Sequence, residues 1–216
     1  MVWVWQNRLN TFIVASDNRG SKTVGSVWED GLRNATLVSD RWAAQLKAMF
    51  KNHQVCLAHL LRELLFLEEL EKQPFATAFK KRSTVVFDAK KEIKTAYRID
   101  SKEAISFENE LNSAARRTVL AMVVDEKANP KMVIFQRSII KNRNYILPCL
   151  YTIEIPPDNN GSERAIRNIK VKQKVSGQFK TGQDAFCTIR SVIDTLIKRG
   201  VEVLPALNQV IKLQPV

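Results

Sequence analysis

Strand-forming residues are concentrated in the first 56 positions of this 216-residue chain, and helical periodicity dominates the rest. The run VWVWQ alternates Trp3 and Trp5 with valine, and TFIVAS follows at Thr11–Ser16, so the two runs predict a β-hairpin. A third strand is predicted at Ala35–Asp40, where an apolar run ends in polar residues, and a fourth short strand at His53–Cys56. Such a distribution predicts a small sheet covered by helices.

Helical patterns separate and follow these strands. A helix is predicted at Ala43–Phe50, and the order strand, helix, strand implies a parallel or mixed sheet. Charged helical periodicity then continues from about Leu57 to Leu147, with breaks at Gln73-Pro74 and Asn129-Pro130, because proline removes a helix donor. Its first helix is predicted to present one apolar face, formed by Leu61, Leu64, Leu65 and Leu67. This long stretch is interpreted as an all-helical insertion.

The last third of the chain opens with the polar block IPPDNNGSER. Asn160 or Ser162 is predicted to cap a helix that begins close to Glu163. After a glycine-containing loop at Gly177–Gly182, apolar residues recur at helical spacing until Gly200, which predicts an amphipathic helix with a glycine stop. Those apolar residues are Phe186, Ile189, Val192, Ile193, Leu196 and Ile197. Pro205 then suits the first turn of a short final helix.

The charge of the chain favours a polyanionic partner. Lys and Arg number 34 against 22 Asp and Glu, a formal net charge of +12, and nucleic acid is the first expectation. No apolar run approaches the length of a membrane span and no signal peptide is visible, so we expect a cytoplasmic protein with no membrane partner. The three cysteines are widely spaced and are expected to be reduced.

Two carboxylates stand out, and each has two readings. Glu163 precedes a strongly basic run, so it is either a helix-dipole and i,i+4 partner of Arg167 or a metal ligand beside a track for phosphates. Asp40 ends a predicted strand, where an aspartate either begins a turn or presents a metal ligand at the edge of a sheet. Spacing alone does not decide whether the two side chains meet.

Three blocks of the sequence carry a resemblance to a known family. LVSDRWAAQLK, HQVCLAHLLRELLFLEE and PPDNNGSERAIRNIKVKQKVSGQFKTGQDAFCTIRSVIDTLIKRG resemble, in this order, blocks of the insertion-sequence 66 family of transposases. The resemblance extends from Trp3 to about Leu207. It implies an α/β fold, an RNase H-like mixed sheet with flanking helices, interrupted by an all-helical insertion. Residues 1–60 would form the first part of the catalytic core, 61–148 the insertion, and 149–216 the second part with the glutamate helix.

The resemblance also implies roles for individual residues. Asp40 matches the family's second catalytic aspartate and Glu163 its catalytic glutamate, both expected to bind Mg²⁺ or Mn²⁺ in a DDE site for DNA transposition. We predict their carboxylates within roughly 8 Å of each other. The expected partner is double-stranded DNA, both transposon ends and target, in the bacterial cytoplasm, with homo-oligomerisation on the DNA compatible with this role. Phosphate contacts are expected from Arg164, Arg167, Lys170, Lys172 and Lys174.

Cys56 and His59 match a C-x-x-H pattern of several RNase H-like transposases. A zinc site usually needs four ligands, and the only other histidine is His53, so a structural role is favoured over zinc.

One departure from the family pattern concerns the first catalytic aspartate. The family places it on a strand just before the segment that matches VWVWQ, and this strand is absent from the 216 residues. Asp17 is a weak substitute, because Asp17–Gly20 reads as a turn. We therefore expect this chain alone not to cut or join DNA. The alternatives are a catalytically dead DNA-binding remnant and a basic helical module that binds RNA or an acidic protein.

Overall fold

A computed structural model describes residues 1–29, 31–69, 122–152, 154–175 and 181–212, together with Lys72, Lys80, Asp88 and Val119. Its strands are β1 (Val2–Gln6), β2 (Thr11–Ala15), β3 (Leu32–Ser39) and β4 (Phe50–Val55). Its α-helices are α1 (Ser21–Val27), α2 (Ala43–Leu46), α3 (Leu57–Glu69), α4 (Pro130–Lys141), α5 (Pro148–Tyr151), α6 (Asn160–Val175), α7 (Gln183–Lys198) and α8 (Val203–Lys212), with a 3₁₀ turn at Arg143–Tyr145. The chain divides into two compact units, Met1–Thr23 with Asn160–Val216, and Val24–Asn159.

The first unit is built on the β1–β2 hairpin, which confirms the hairpin predicted from the sequence. The strands pair antiparallel from Val2 opposite Ala15 to Gln6 opposite Thr11. The Asn7 side chain closes the turn, because its Oδ1 accepts hydrogen bonds from the backbone N–H groups of the two residues that precede β2. The alternation then separates two faces of the hairpin.

One face of the hairpin packs against helices, and the other carries tryptophan. Ile13 contributes to a small core with Ile169 of α6 and Cys187 of α7, and the β1 valines pack against it. On the opposite face Trp3 and Trp5 stack with their ring centroids 5.9 Å apart. Because successive side chains of a strand point to opposite faces, both faces of the hairpin carry apolar side chains.

Helix α7 lies along the edge of β2 that does not face β1. The Ile13 N–H donates to Ser191 Oγ over 2.8 Å, and the Thr11 N–H donates to Thr195 Oγ1 over 3.0 Å. The Thr195 hydroxyl donates back to the Thr11 carbonyl over 3.1 Å. Because Ser191 and Thr195 are four residues apart, they lie one above the other on the helix. Hydroxyl groups thus satisfy main-chain groups at the edge of the sheet.

Near the end of the chain, the helices begin and end close to the predicted positions. Gly200 has φ +67° and follows Arg199, the C-cap of α7, which confirms the glycine stop, because this left-handed conformation is accessible to glycine without strain. Pro205 lies in the first turn of α8, as predicted. Helix α6 begins at Asn160, three residues before the predicted start, so Glu163 lies within its first turn. Most of the loop predicted at Gly177–Gly182 falls outside the described residues.

The second unit contains a parallel pair of strands, β3 and β4, in agreement with the predicted strand–helix–strand unit. Strand β3 begins at Leu32, three residues before the predicted start, and it ends at Ser39, so Asp40 directly follows it. The predicted helix at Ala43–Phe50 was too long, since α2 ends at Leu46. The last residues of the predicted helix pair with β3 instead, because the Met49 carbonyl accepts a hydrogen bond from the Leu32 N–H over 3.0 Å and Phe50 begins β4.

The core of the second unit lies between α3 and α4. Its α3 face consists of Leu57, Leu60, Leu64 and Leu67, each at most 3% exposed. They pack with Met132, Phe135 and Ile139 of α4. The predicted face was partly wrong, because Leu65 is 37% exposed. Spacings of three, four and three residues keep the observed leucines in one stripe, and Leu65 follows Leu64 at about 100° around the helix.

Helix α4 begins where the sequence predicts a break. The Asn129 side chain accepts a hydrogen bond from the Lys131 N–H over 2.9 Å and caps the helix, with Pro130 at its first position. The break at Gln73-Pro74 and nearly all of the helical periodicity predicted between about residues 70 and 121 lie outside the described residues. In the ranges that are described, no helix is long and apolar enough to cross a membrane.

Candidate functional site

Asp40 lies at the point where β3 leaves the sheet. Ser39, the last residue of the strand, is 3% exposed, and its carbonyl accepts a hydrogen bond from the Cys56 N–H over 2.7 Å. Asp40 itself is half-buried. Its Oδ1 accepts a hydrogen bond from the Trp42 N–H over 3.1 Å, whereas Oδ2 accepts none from the described residues. The buried end of β3 is therefore followed by a carboxylate with one oxygen available to a ligand.

An open cleft of about 430 Å³ surrounds this carboxylate. It is lined by Asp40, Arg41, Trp42, His59, Arg62 and Glu63. The first three belong to the connection between β3 and α2, and the last three to the first two turns of α3. Positions 59, 62 and 63 have the i, i+3, i+4 relation that puts side chains on one face of a helix. The packing of α3 beside the end of β3 thus assembles the cleft.

Arg41 forms one wall of the cleft and is fixed by three different contacts. Its guanidinium forms an ion pair with Glu63, donates to Ser138 Oγ over 2.7 Å, and lies 5.5 Å from the centroid of the Phe135 ring. Burial lowers the pKa of Arg41, and the neighbouring charge of Asp40 acts in the opposite direction. Arginine stays protonated under physiological conditions, so Arg41 is a fixed cation beside Asp40.

Arg62 differs from Arg41 in its surroundings. It is exposed, and no ion pair joins it to a carboxylate of the described residues. The cleft therefore holds one arginine already paired with Glu63 and a second that is available to an anionic ligand.

Cys56 and His59, the predicted C-x-x-H pair, take different places. Cys56 is fully buried directly before α3, and its carbonyl accepts a hydrogen bond from the Leu60 N–H over 3.3 Å. Burial raises the pKa of the Cys56 thiol, and nearby backbone N–H groups, including that of Asn159, act in the opposite direction. A buried thiol with a raised pKa suits a structural position at a helix start better than a nucleophile. His59 is half-buried and lines the cleft.

The other histidine, His53, lies in β4 and does not line the cleft. Its Nε2 lies 3.2 Å from the Ala48 carbonyl oxygen, and its ring contacts Phe50 and Tyr145. Among the residues that the structure describes, no three His, Cys, Asp or Glu side chains are grouped so that they could hold a metal ion. Cys56 and His59 therefore have no described companions for a zinc site.

Glu163 lies in the first unit, half-buried in the first turn of α6. Ala165 and Ile169 form the buried side of this helix. At 100° per residue, the side opposite to them carries four of the five basic residues that were predicted to bind DNA, all of them exposed. These are Arg164, Arg167, Lys170 and Lys174, which we call the α6 basic face. Lys172 is also exposed but lies toward the other side.

Gly161 explains part of the NNGSER block. A Cβ atom at this position would lie 1.9 Å from Gln6 Nε2, so the start of α6 approaches β1 closely. Gln6 Oε1 in turn accepts a hydrogen bond from Lys198 Nζ over 2.7 Å. The glycine thus lets the helix that carries Glu163 pack against the hairpin of its own unit.

The remaining candidates have the following positions. Asp17 is exposed in the turn after β2, where Ser16 Oγ donates to the Asn18 carbonyl over 3.1 Å, as expected for a turn residue. Asp40 and Glu163 belong to different units, and their proximity remains a prediction. Sequence reasoning missed Trp42 and the α3 side of the cleft, although the spacing of His59, Arg62 and Glu63 on one helix face was a visible signal.

Comparison with models of protein families identifies a match. A model of the transposase IS66 family matches residues 2–186, a range that contains both Asp40 and Glu163 and ends in the first turn of α7. Neither the curated proteins nor the solved structures contain a match to the chain.

Proposed function

The chain belongs to the transposase IS66 family, and from this membership we propose that it is the catalytic part of a transposase that cuts and joins DNA at the ends of an insertion sequence. The family match over residues 2–186 is the observation that carries the proposal. The proposed reaction is phosphodiester hydrolysis followed by strand transfer, both by in-line displacement at phosphorus, with double-stranded DNA as substrate and target.

The proposed catalytic carboxylates are Asp40 and Glu163. Asp40 is supported by its position directly after the buried Ser39 at the end of β3, in a cleft, with Oδ2 available to a cation. Glu163 is supported by its place in the NNGSER block inside the matched range and by the basic face of the same helix. Carboxylate oxygens are the donors that Mg²⁺ and Mn²⁺ prefer, so both side chains fit the divalent metal dependence that is general among DDE transposases. When bound, the metal would stabilise negative charge on the phosphate oxygens.

The protein's own residues then orient the reaction. The Trp42 N–H holds one oxygen of Asp40, so the carboxylate keeps one direction relative to β3. Arg41 supplies a fixed positive charge beside it, held by Glu63 and Ser138. The α6 basic face contacts backbone phosphates and holds the DNA without reading its sequence.

We include in the proposal an RNase H-like core whose third carboxylate lies on a strand outside these 216 residues. In the described ranges β1 pairs only with β2, and β3 only with β4. The proposed helical insertion covers residues 61–148.

The test is a cleavage assay on a duplex that ends in the transposon end, with Mg²⁺ or Mn²⁺. We expect no cleavage by the 216-residue chain, and cleavage by a version extended upstream to include a strand with an aspartate. In the extended protein, Asp40→Asn and Glu163→Gln should each abolish cleavage and leave DNA binding intact, because both remove a metal ligand without changing the fold. Asp17→Asn is the matched control and should keep activity.

The other outcomes separate the alternatives. Cleavage by the unextended chain that Asp17→Ala abolishes would contradict the assignment and make Asp17 the third ligand. DNA binding without cleavage by the extended protein would instead favour a catalytically dead DNA-binding remnant.

A further inference from the structure

We propose that the Trp42 side chain is a stacking platform for an unpaired nucleotide of the DNA end, held in the cleft beside Asp40. This inference rests on the proposed function and adds to it the kind of DNA structure that the site binds.

The exposure of Trp42 is the first observation. Its relative exposure is 48%, whereas Trp3 is 8% exposed, and Trp5 and Trp28 are half-buried. A single exposed apolar residue on a surface needs no special explanation. Trp42 is different because it lines a cleft together with a carboxylate and two arginines. A large flat ring in such a cleft is suited to a ligand with both an aromatic face and negative charge.

The backbone of Trp42 is fixed on both sides. Its N–H donates to Asp40 Oδ1 over 3.1 Å. Its carbonyl accepts hydrogen bonds from the N–H groups of Gln45 over 3.0 Å and Leu46 over 3.1 Å, at the start of α2. The backbone from which the indole extends is therefore held beside the Asp40 carboxylate, and a base stacked on the indole would bring its own phosphate into the same cleft.

The chemistry of stacking selects the ligand. Every nucleobase has a π-face that stacks on an aromatic ring, but bases inside a duplex already stack on their neighbours. The exposed ring is thus suited to a nucleotide that has lost its pairing partner, as at a frayed or single-stranded end. Arg62 is exposed on the α3 side of the cleft and is suited to the phosphate of that nucleotide, since Arg41 is paired with Glu63.

The experiment measures the affinity of the full 216-residue chain for two DNA molecules. One is a blunt duplex, and the other is the same duplex with three unpaired nucleotides at one end, one of them 2-aminopurine. We expect tighter binding of the second DNA and a change in 2-aminopurine fluorescence on binding. Trp42→Ala should reduce this preference by about 5- to 150-fold for one stacked base, and should weaken binding of the blunt duplex much less.

Two further variants make the result specific. Trp42→Phe keeps an aromatic ring and should retain most of the preference, with the fluorescence change. Phe12→Ala is the matched control, because Phe12 is 45% exposed and does not line the cleft. It should change neither affinity.

The outcomes distinguish this inference from the proposed function. If the wild-type chain binds both DNAs equally, or if Trp42→Ala keeps the preference or weakens both DNAs alike, the stacking role is wrong and the proposed function stands. Absence of any DNA binding by the wild-type chain would contradict both.

Discussion

His53 and Gln54 are neighbouring buried polar residues in β4 that differ in how many of their side-chain atoms are hydrogen-bonded. The Gln54 amide donates to the carbonyls of Val55 over 2.6 Å and Ile146 over 2.8 Å, and its Oε1 accepts from the Cys149 N–H over 2.7 Å. His53 uses only Nε2, toward Ala48, and Nδ1 has no partner among the described residues. A neutral ring with its proton on Nε2 fits this environment, because a second proton would have no acceptor.

His53 should make the stability of the protein depend on pH. Burial lowers the pKa of His53 below its ordinary value of about 6.5, and the hydrogen bond to Ala48 acts in the opposite direction. The unfolded chain takes up a proton near pH 6.5 and the folded chain does not, so this contribution to stability is present above pH 6.5 and is lost as the pH falls below it. We expect the urea concentration at the midpoint of unfolding to decrease as the pH is lowered from 7.5 to 5.5. This decrease should be smaller in His53→Phe.

His59→Gln is the control for this prediction, since it removes the only other histidine of the chain. Of the two variants, His53→Phe should show the weaker pH dependence. A dependence that disappears with His59→Gln and persists with His53→Phe would contradict the assignment.

Local sequence patterns predicted which helices and strands are present better than they predicted the length of each element or the side that it buries. The hairpin followed from alternation, and the end of α7 followed from Gly200. The length of α2 did not, because Met49, three residues after the end of α2, accepts a hydrogen bond from the N–H of Leu32 in β3, which a local pattern does not contain. Propensity within a window contains no information on such a partner.

The packed side of α7 shows a second limit of sequence reasoning. Three of the predicted apolar residues, Ile189, Val192 and Ile197, are 54%, 37% and 59% exposed. The helix instead buries Cys187 and Ser191 against β2. Hydrophobic periodicity misses this side because the edge of a strand needs hydroxyl partners for its N–H groups, and not only apolar contact. The cleft was missed for a similar reason, since it forms only when α3 packs beside the end of β3.

The hydroxyls of α7 should therefore contribute to stability. In the double variant Ser191→Ala with Thr195→Val, the N–H groups of Ile13 and Thr11 lose their acceptors at nearly constant side-chain volume. We expect a loss of about 1–3 kcal/mol for each buried N–H left unsatisfied, measured by urea unfolding. Hydrogen exchange of the Ile13 amide should accelerate as well. Thr188→Val, at an exposed position of the same helix, is the control and should change stability by less than about 0.5 kcal/mol. A double variant as stable as this control would contradict the role of the hydroxyls.

For the whole molecule, the distribution of charge is more informative than its total. The chain has a net charge of +12, and the 16 residues of α6 contain five basic side chains and one acidic one, a net charge of +4. One third of the net charge is thus on one helix. The α6 basic face extends from Arg164 to Lys174, about 15 Å along the helix axis at 1.5 Å per residue. That length matches several successive phosphates of a duplex.

This concentration of charge leads to a prediction about the whole chain on DNA. If the α6 basic face binds backbone phosphates, affinity for duplex DNA should fall steeply with salt, because each neutralised phosphate releases a counterion. Replacing Arg164, Arg167 and Lys170 together by alanine should weaken binding to all sequences about equally. It should also reduce the slope of log affinity against log salt by about three.

The control is the triple variant Lys22→Ala, Lys47→Ala and Lys51→Ala, three exposed lysines outside α6, which changes the net charge of the chain by the same amount. If total charge alone drives binding, the two triple variants will weaken it equally. If the α6 basic face is the contact, only the first will change the slope substantially. Because phosphate contacts carry no sequence information, a loss confined to one DNA sequence would contradict the proposal. Equal binding of RNA and DNA, unaffected by either triple variant, would instead favour a basic module with another partner.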